Sequence, residues 1–487
     1  MGEEKNKQEL AITVSKEKSA AEWYTQVLQK ADLIEYTEVS GCIIFKPNIF
    51  QIWEKVQSSF DQKIKKLGVR NAYFPLFIPE KFFVKEGEHV EDFAPEVAWV
   101  THGGGSELNE KLAIRPTSET IINDAYAKWI QSYRDLPLKM NQWCNVVRWE
   151  FKHPTPLLRN REFLWQEGHT AFETQEEAHK EVLEILEKYR EVAEEVLAVP
   201  VDLGMKTEKE KFAGAEYTTT MESFLPDGKA LQSATSHHLG QKFAKAFDIE
   251  YIGRDQKKHK PYQNSWGIST RMLGAFVMIH GDDKGLIVPP RAAENQIVIV
   301  PLLFKGKEKA VEEEAFAIKE KLSEYGAFVD DRKEYSPGFK YNEWELKGIP
   351  LRIEIGPKDL ENNRVMVVRR DTLEKEEVAA DDKFEENIEE MLENIQNNLY
   401  ERASEKIDND TYEVYDYQEF KKLIDEGKRC LVPWKEDKET EEKIKEETGA
   451  KTSCKPFKEN REKSLEGVKC FFTGEEADTW VYFAKSH

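Results

Sequence analysis

Three arginines, three glutamates and two histidines crowd into residues 146–170, VVRWEFKHPTPLLRNREFLWQEGHT, among Trp149, Phe151, Phe163 and Trp165. A guanidinium pairs with phosphate or carboxylate through two parallel hydrogen bonds. Arg148 on one arm and the arginines of the connection are therefore suited to clamp a polyphosphate and a small acid's carboxylate together. Strand side chains alternate between faces. On that reading Arg148, Glu150 and Lys152 share one face of the first arm, and Val147, Trp149 and Phe151 share the other. Phe163, Trp165, Glu167 and His169 share a face of the returning arm. HPTPLLRNR, with its prolines, is the loop of a β-hairpin. If buried, the charged face needs a ligand or ion pairs to satisfy it. If exposed, it is an ion-pair ladder, and this stretch alone leaves both open.

Other segments carry suitable chemistry. RPTSE (115–119) sets the hydroxyls of Thr117 and Ser118 beside Glu119, able to accept hydrogen bonds from an amine. LQSATSHHLG (231–240) gathers Gln232, Thr235, Ser236, His237 and His238 before a glycine. In NSWGISTRMLGA, Arg271 starts an amphipathic helix after a glycine-containing strand, with Ser269 just before it. Each also reads as ordinary structure: a turn, a histidine pair in a loop, a helix start.

The elements that must position them follow from periodicity. Residues 15–31 read as a helix with Ser15 as N-cap. Ile49, Ile52, Trp53, Val56, Phe60 and Ile64 recur at helical spacing over 47–66. VRNAYFPLFIPEKFF is a short apolar strand ended by prolines. Apolar runs up to about 290, with one helix over 175–197, predict an antiparallel sheet. From about 291, strands alternate with helices (one over 307–325), which predicts an α/β unit with a mostly parallel sheet. A charged helix from about 382 leads to a third unit. KEDKETEEKIKEETG reads as a solvated helix. The expected division is 1–291, 292–400 and 401–487, in line with the domain count that 487 residues suggest.

Composition excludes several classes. A net charge of −21 disfavours nonspecific coating of nucleic acid, and no DNA partner is expected. No apolar run reaches the roughly 18 residues a membrane helix needs. MGEEKNKQEL lacks a signal peptide's apolar core, and Asn6 is not the Ser or Thr of a myristoylation signal. Cys42, Cys144, Cys430, Cys454 and Cys470 are few and scattered, as expected of reduced thiols in a cytoplasm.

Taken together, these motifs resemble a class II aminoacyl-tRNA synthetase. Pro75 in NAYFPLFIP is similar to the first class signature, VVRWE with LLRNREF to the second, and GISTRMLGA to the third. RPTSE, REFLWQEGHTAFET, KTEKEKFAGAEYTTT, TSHHLGQKFAKAFDI, NEWELKGIPLRIEIGPKDL and VYFAKSH resemble the prolyl-tRNA synthetase family of archaeal/eukaryotic type, over nearly the whole chain. The resemblance implies an α+β protein with a six-stranded antiparallel catalytic sheet. An α/β anticodon-binding domain and a small α/β C-terminal domain would follow. It also implies a homodimer that uses ATP, Mg²⁺, L-proline and tRNA(Pro).

Carried over, Arg148 would touch both the proline carboxylate and the ATP α-phosphate. Glu150 and Arg159 would lie at ATP, Phe163 and Arg271 would sandwich adenine, and Gln232, Thr235 and Ser269 would line ATP, with Mg²⁺ near Gln232. Thr117, Glu119, Trp165, Glu167, His169, Phe212 and His237 would form the proline pocket. Glu343, Glu345, Lys347 and Arg352 are candidate anticodon contacts, each also readable as an ordinary strand-end charge. Arg161 and Glu162 receive no role.

The chain departs from the family pattern in three places. The four-cysteine zinc site of many relatives falls here on Lys435, Thr440, Cys470 and Thr473. One thiol cannot hold tetrahedral zinc, so no structural zinc is expected. Regrouping of Cys430, Cys454, Cys470 and His487 is the alternative. His487 stands where the family usually ends in tyrosine; the terminal carboxylate survives, so docking of that end can survive, but its aromatic partner is in doubt. The gap from 170 to 265 leaves no room for the editing insertion of bacterial-type relatives.

Overall fold

A computed structural model describes residues 11–82, 96–150, 153–457 and 464–487. Phe151 and Lys152, assigned above to the first arm of the hairpin, lie outside the described residues, as does the N-terminal MGEEKNKQEL.

The centre is a six-stranded antiparallel sheet: β1 (Leu138–Val147), β2 (Glu162–Phe172), β3 (Asp202–Met205), β4 (Tyr217–Phe224), β5 (Lys229–Gly240) and β6 (Tyr262–Ser269). Their order is β3-β4-β5-β6-β2-β1, as the antiparallel expectation required. A short strand, Arg70–Asn71, adds to β1 in parallel. The short apolar strand expected in VRNAYFPLFIPEKFF is instead two pieces, Arg70–Asn71 and Phe77–Pro79, on either side of Pro75, since proline fixes φ and has no N–H for the ladder. LQSATSHHLG is strand β5, so its histidine pair is not in a loop.

Helix α1 (Ala20–Lys30) starts later than expected, after Ser19 rather than Ser15. Helix α2 (Pro47–Lys66) has the expected span and buries its six periodic apolar residues. Helix α3 (Gln175–Glu195) crosses one face of the sheet, capped by reciprocal Thr174–Glu177 hydrogen bonds. Helix α4 (Arg271–His280) follows β6 directly and is buried along nearly its whole length. Close approach explains Gly168 on β2. A Cβ there would sit 2.2 Å from the indole of Trp266, its partner across the ladder. Gly168→Ala is expected to cost about 3 kcal/mol, the upper range for overpacking. Urea unfolding measures this, and a loss below about 0.5 kcal/mol, within the range of a neutral surface change, would contradict the fit.

The second unit holds a five-stranded sheet. Ile297–Pro301 runs parallel to Phe328–Val329 and Leu351–Ile355, but Arg364–Arg369 and Lys375–Ala379 are antiparallel. The sheet is thus mixed rather than mostly parallel. After Leu351–Ile355 the chain has room only for the one-turn helix Pro357–Glu361, too short for a parallel crossover. Helix α5 (Pro337–Lys347) occupies YNEWELK; Ser336 caps its start and Gly348, with φ near 80°, ends it.

Helix α6 (Phe384–Asn409) leads into the third unit. There Thr411–Glu413, Arg429–Trp434 and β7 (Thr479–Ser486) form a sheet that does not stand alone. β7 pairs in parallel with the start of β5, Lys229 opposite Lys485. Lys455–Pro456 pairs with β3. The C-terminal unit therefore grips two strands of the central sheet.

Candidate active site

Strands β2, β5 and β6 form the floor of a cavity of about 430 Å³. Their register sets Trp165 opposite Ser269, Glu167 opposite Gly267 and His169 opposite Ser265. On β5, His237 lies opposite Ser265, and Thr235 opposite Gly267. Phe163, Trp165, Glu167 and His169 all line the cavity, as strand alternation predicts. The first arm does not follow that alternation. β1 ends at Val147, so Arg148 and Glu150 reach the cavity from irregular chain. The Arg148 N–H donates to the Arg161 carbonyl (2.8 Å) and the Trp149 N–H to the Glu96 carbonyl (2.8 Å), which carries the backbone off the ladder.

One region of the lining is rich in buried carboxylate. The Glu167 carboxylate accepts from the Ser118 N–H (3.1 Å), the Ser118 hydroxyl, the Gln142 amide (2.9 Å) and the Cys144 thiol (3.5 Å), and it also meets His169 Nε2 at 3.1 Å. Burial opposes ionisation of Glu167, but the bonds from His169, Ser118 and Gln142 outweigh it and hold the group below its ordinary range. Burial likewise opposes the His169 proton, yet the Glu167 bond and the charges of Glu119 and Glu167 raise its pKa. Thr117 donates to Glu119. Ligand atoms of Glu119, Glu167 and His169 all lie within 4.8 Å of one another. This is a small, dry, anion-lined cup fit for an amine.

His237 behaves differently. Burial, then repulsion from His169 and Arg148, pushes it down to about 3. The neutral ring sits between the hydroxyls of Thr218 and Thr235, 2.9 Å from each, with the Phe212 ring 4.8 Å away. Phe212, Trp165 and these rings give the cup apolar walls.

The other region is cationic. Arg148 anchors Nε on the Pro116 carbonyl (3.0 Å), and its guanidinium lies 5.5 Å from the Phe163 ring and 5.2 Å from the Trp165 ring. No described residue accepts a hydrogen bond from its two terminal nitrogens. Arg271 is tied by Nε to the Leu158 carbonyl (3.0 Å) and by a terminal nitrogen to the Gln232 carbonyl (3.2 Å). Burial and the neighbouring Arg148 and Arg159 push its pKa down to about 10. Two such cations held together unneutralised mark a place for an anion. Glu150 and Gln232 line the same cavity with oxygen donors, the type Mg²⁺ accepts beside substrate phosphates.

Arg159 is not on the lining. Its guanidinium donates to the His487 carbonyl, while the His487 ring pairs with Asp227 at 2.9 Å. The chain end thus docks against the central sheet with histidine in the usual tyrosine's position. Arg161 stacks 4.5 Å from Trp149, and Glu162 accepts from Asn145 at 2.9 Å. Cys430 and Cys470 sit in one hydrophobic cluster and Cys454 in another. Lys435 pairs with Glu475. Glu343, Glu345 and Lys347 lie on helix α5, not at a strand end. Glu343 pairs with Arg332 (2.7 Å) and Lys347 (2.8 Å), and Glu345 with Arg352 (3.0 Å) and Lys284 (3.1 Å). Arg352 is buried and also binds Glu354 (3.0 Å).

Sequence reasoning missed several supports. Arg115 is almost fully buried and braces the start of the site through the Phe74 and Asn145 carbonyls, 2.8 Å each. Ser118 and Arg115 stand inside RPTSE, so their segment was marked though their roles were not. Glu210 and Thr218 stand inside KTEKEKFAGAEYTTT, so that segment too was marked though their roles were not, and Gln142 carried no local signal.

A six-stranded antiparallel sheet carrying an arginine-bearing hairpin and an arginine-headed helix defines a class II synthetase core. Residues 99–280 match the tRNA synthetase class II core domain (G, H, P, S and T), 296–391 the anticodon binding domain and 417–487 the prolyl-tRNA synthetase C-terminal domain. The chain is 50% identical over 486 residues to the proline–tRNA ligase of Alkaliphilus oremlandii, covering 99% of each. It is 50% identical over 487 residues to the cytoplasmic proline–tRNA ligase of Arabidopsis thaliana, covering 98% of this chain and 91% of that one. A bifunctional glutamate/proline–tRNA ligase of Mus musculus is 48% identical over 511 residues, 99% of this chain and 33% of that protein. The chain belongs to the proline–tRNA ligase family.

Proposed function

We propose that the chain attaches L-proline to tRNA(Pro) in two steps through prolyl-adenylate, releasing diphosphate and then AMP. The observation that carries this reading is one cavity with a carboxylate cup (Glu119, Glu167) beside two unneutralised cations (Arg148, Arg271). The proline carboxylate is already an anion, so its attack on the α-phosphorus needs no general base. The site has to align the two substrates and neutralise charge on the phosphate. In this reading Arg148 bridges the carboxylate and the α-phosphate. Thr117, Glu119 and Glu167 accept from the ammonium, and Phe212, Trp165, His169 and His237 enclose the ring. Phe163 and Arg271 sandwich adenine, and Thr235, Ser269, Gln232 and Glu150 line ATP. Glu150 and Gln232 would hold Mg²⁺, which lowers the negative charge of the phosphates when bound. Arg159 acts at ATP only if it leaves His487.

The protein works in the cytoplasm as a homodimer, with catalytic, anticodon-binding and C-terminal units over 1–291, 292–400 and 401–487. Helix α5 offers Glu343, Glu345 and Lys347 to the anticodon, carboxylates being acceptors for base amino groups. Arg352 acts there by orienting Glu345.

No zinc is held, because Lys435, Thr440 and Thr473 stand at ligand positions. Metal analysis of the purified protein is expected to find none, and one zinc per chain would contradict this. No editing domain is present either. Rejecting alanine by size is worth only about 1–3 kcal/mol per missing methylene. Charging of tRNA(Pro) with labelled amino acids is therefore expected to give stable prolyl-tRNA and a small, persistent alanyl-tRNA fraction. Absence of prolyl-tRNA would refute the reading, and rapid clearance of alanyl-tRNA would refute the missing editing step.

A further inference from the structure

Segment 206–216, KTEKEKFAGAE, brings Glu210 and Phe212 to the cavity wall without belonging to a helix or strand. Its own hydrogen bonds are local: the Lys211 N–H to the Thr207 carbonyl (2.9 Å), the Glu210 N–H to the Thr207 hydroxyl (3.3 Å), the Ala215 N–H to the Phe212 carbonyl (3.0 Å) and Lys211 Nζ to the Glu216 carbonyl (3.2 Å), with the Lys206 and Phe212 N–H groups donating to Thr218 (2.9 and 3.0 Å). Such a segment needs outside support to hold one conformation.

That support comes from the C-terminal unit. Lys206 Nζ donates to the Ser453 carbonyl at 2.8 Å. The Thr207 hydroxyl donates to Glu441 at 3.3 Å, and Thr452 donates to the same oxygen at 2.6 Å. The Glu208 N–H donates to Glu436 at 2.6 Å, and Glu436 is itself held by Lys455 at 2.7 Å. Lys209 pairs with Glu442. Four consecutive residues are thus each gripped from the same side. Glu441 and Glu442 lie on Lys438–Thr448, the helix expected to be wholly solvated, and Glu441 is only 2% exposed.

We propose that Glu436, Glu441 and Glu442 are positioning residues that set Phe212 over the amino-acid cup, so that the C-terminal unit governs affinity for the amino acid. This rests on the functional reading above. The clamp acts three to six residues before Phe212, whereas Phe163 and Arg271 stand on β2 and α4, which it does not touch. Loosening it therefore weakens proline binding and spares ATP binding.

The test is Glu442→Lys and Glu436→Gln in the full chain, with Lys209→Glu combined with Glu442→Lys as the reversed pair. Glu442, Glu436 and Lys209 are all partly exposed, so these variants are expected to fold. In ATP–pyrophosphate exchange, KM for proline is expected to rise about tenfold, the scale of an effect on a substrate-enclosing loop, with KM for ATP within about twofold. Trypsin should cut faster after Lys211, a site present in every variant, and the reversed pair should restore both readouts. Unchanged KM for proline in the single variants, or equal rises for proline and ATP with no rescue, would overturn the proposal. If the wild type activates no proline, the functional reading falls, and the trypsin comparison alone then decides whether the clamp exists.

Discussion

Arg148→Ala lowers proline-dependent ATP–pyrophosphate exchange by about a thousandfold, the upper range for removing one charge-stabilising donor. The size follows from geometry. Nε is committed to the Pro116 carbonyl, which fixes the plane of the guanidinium. Phe163 and Trp165 flank it at 5.5 and 5.2 Å. Two terminal nitrogens, with four N–H between them, remain for two anionic ligands that must meet each other. Lysine has the charge but not the planar fork, so Arg148→Lys is expected to recover little. Stability should change little in either variant, because Arg148 is only half-buried and satisfies no protein carboxylate. Exchange within about twofold of wild type, a trivial loss of transition-state stabilisation, would remove Arg148 from the role given to it.

Glu167→Gln is expected to cost about 3 kcal/mol of stability, as breaking one side of a buried charge pair does. It is also expected to lower kcat/KM for proline about a hundredfold, the value of a hydrogen bond to a charged group. Glutamine keeps the shape but lacks the charge by which Glu167 raises the His169 pKa. The pH dependence separates this from simple misfolding. Glu167 has a depressed folded pKa, so its contribution is complete above its ordinary 4.5 and is lost as pH falls through the folded value. His169 has a raised folded pKa, so its contribution is complete below its ordinary 6.5 and is lost as pH rises through the folded value. The stability difference between wild type and variant is therefore largest between those two ordinary values. It shrinks on both sides. Urea unfolding over this range measures it, and a difference independent of pH would contradict the ion pair.

The returning arm was fully legible because a regular strand has period two and one buried face. Phe163, Trp165, Glu167 and His169 needed nothing else to be grouped. The first arm leaves the regular strand after Val147 because the Trp149 N–H donates to the carbonyl of Glu96, a partner distant in sequence that no local pattern announces. Helix α5 was legible in principle, with serine-proline at its start and glycine at its end, but the apolar run beside it drew attention instead. Glu441 was not legible. Its helix has the composition of a solvated surface, and contacts with Thr452 and with Thr207, far back in the chain, make it an interior group. Pairing choices such as the mixed sheet of the second unit depend on loop length as much as on the strands.

The central claim is that this one cavity joins proline to AMP. ATP–pyrophosphate exchange, run with each proteinogenic amino acid in turn, tests it most directly. Exchange should be strong with proline, weak but measurable with alanine and cysteine, and near background with the rest. Exchange driven best by another amino acid, or by none, would contradict the account.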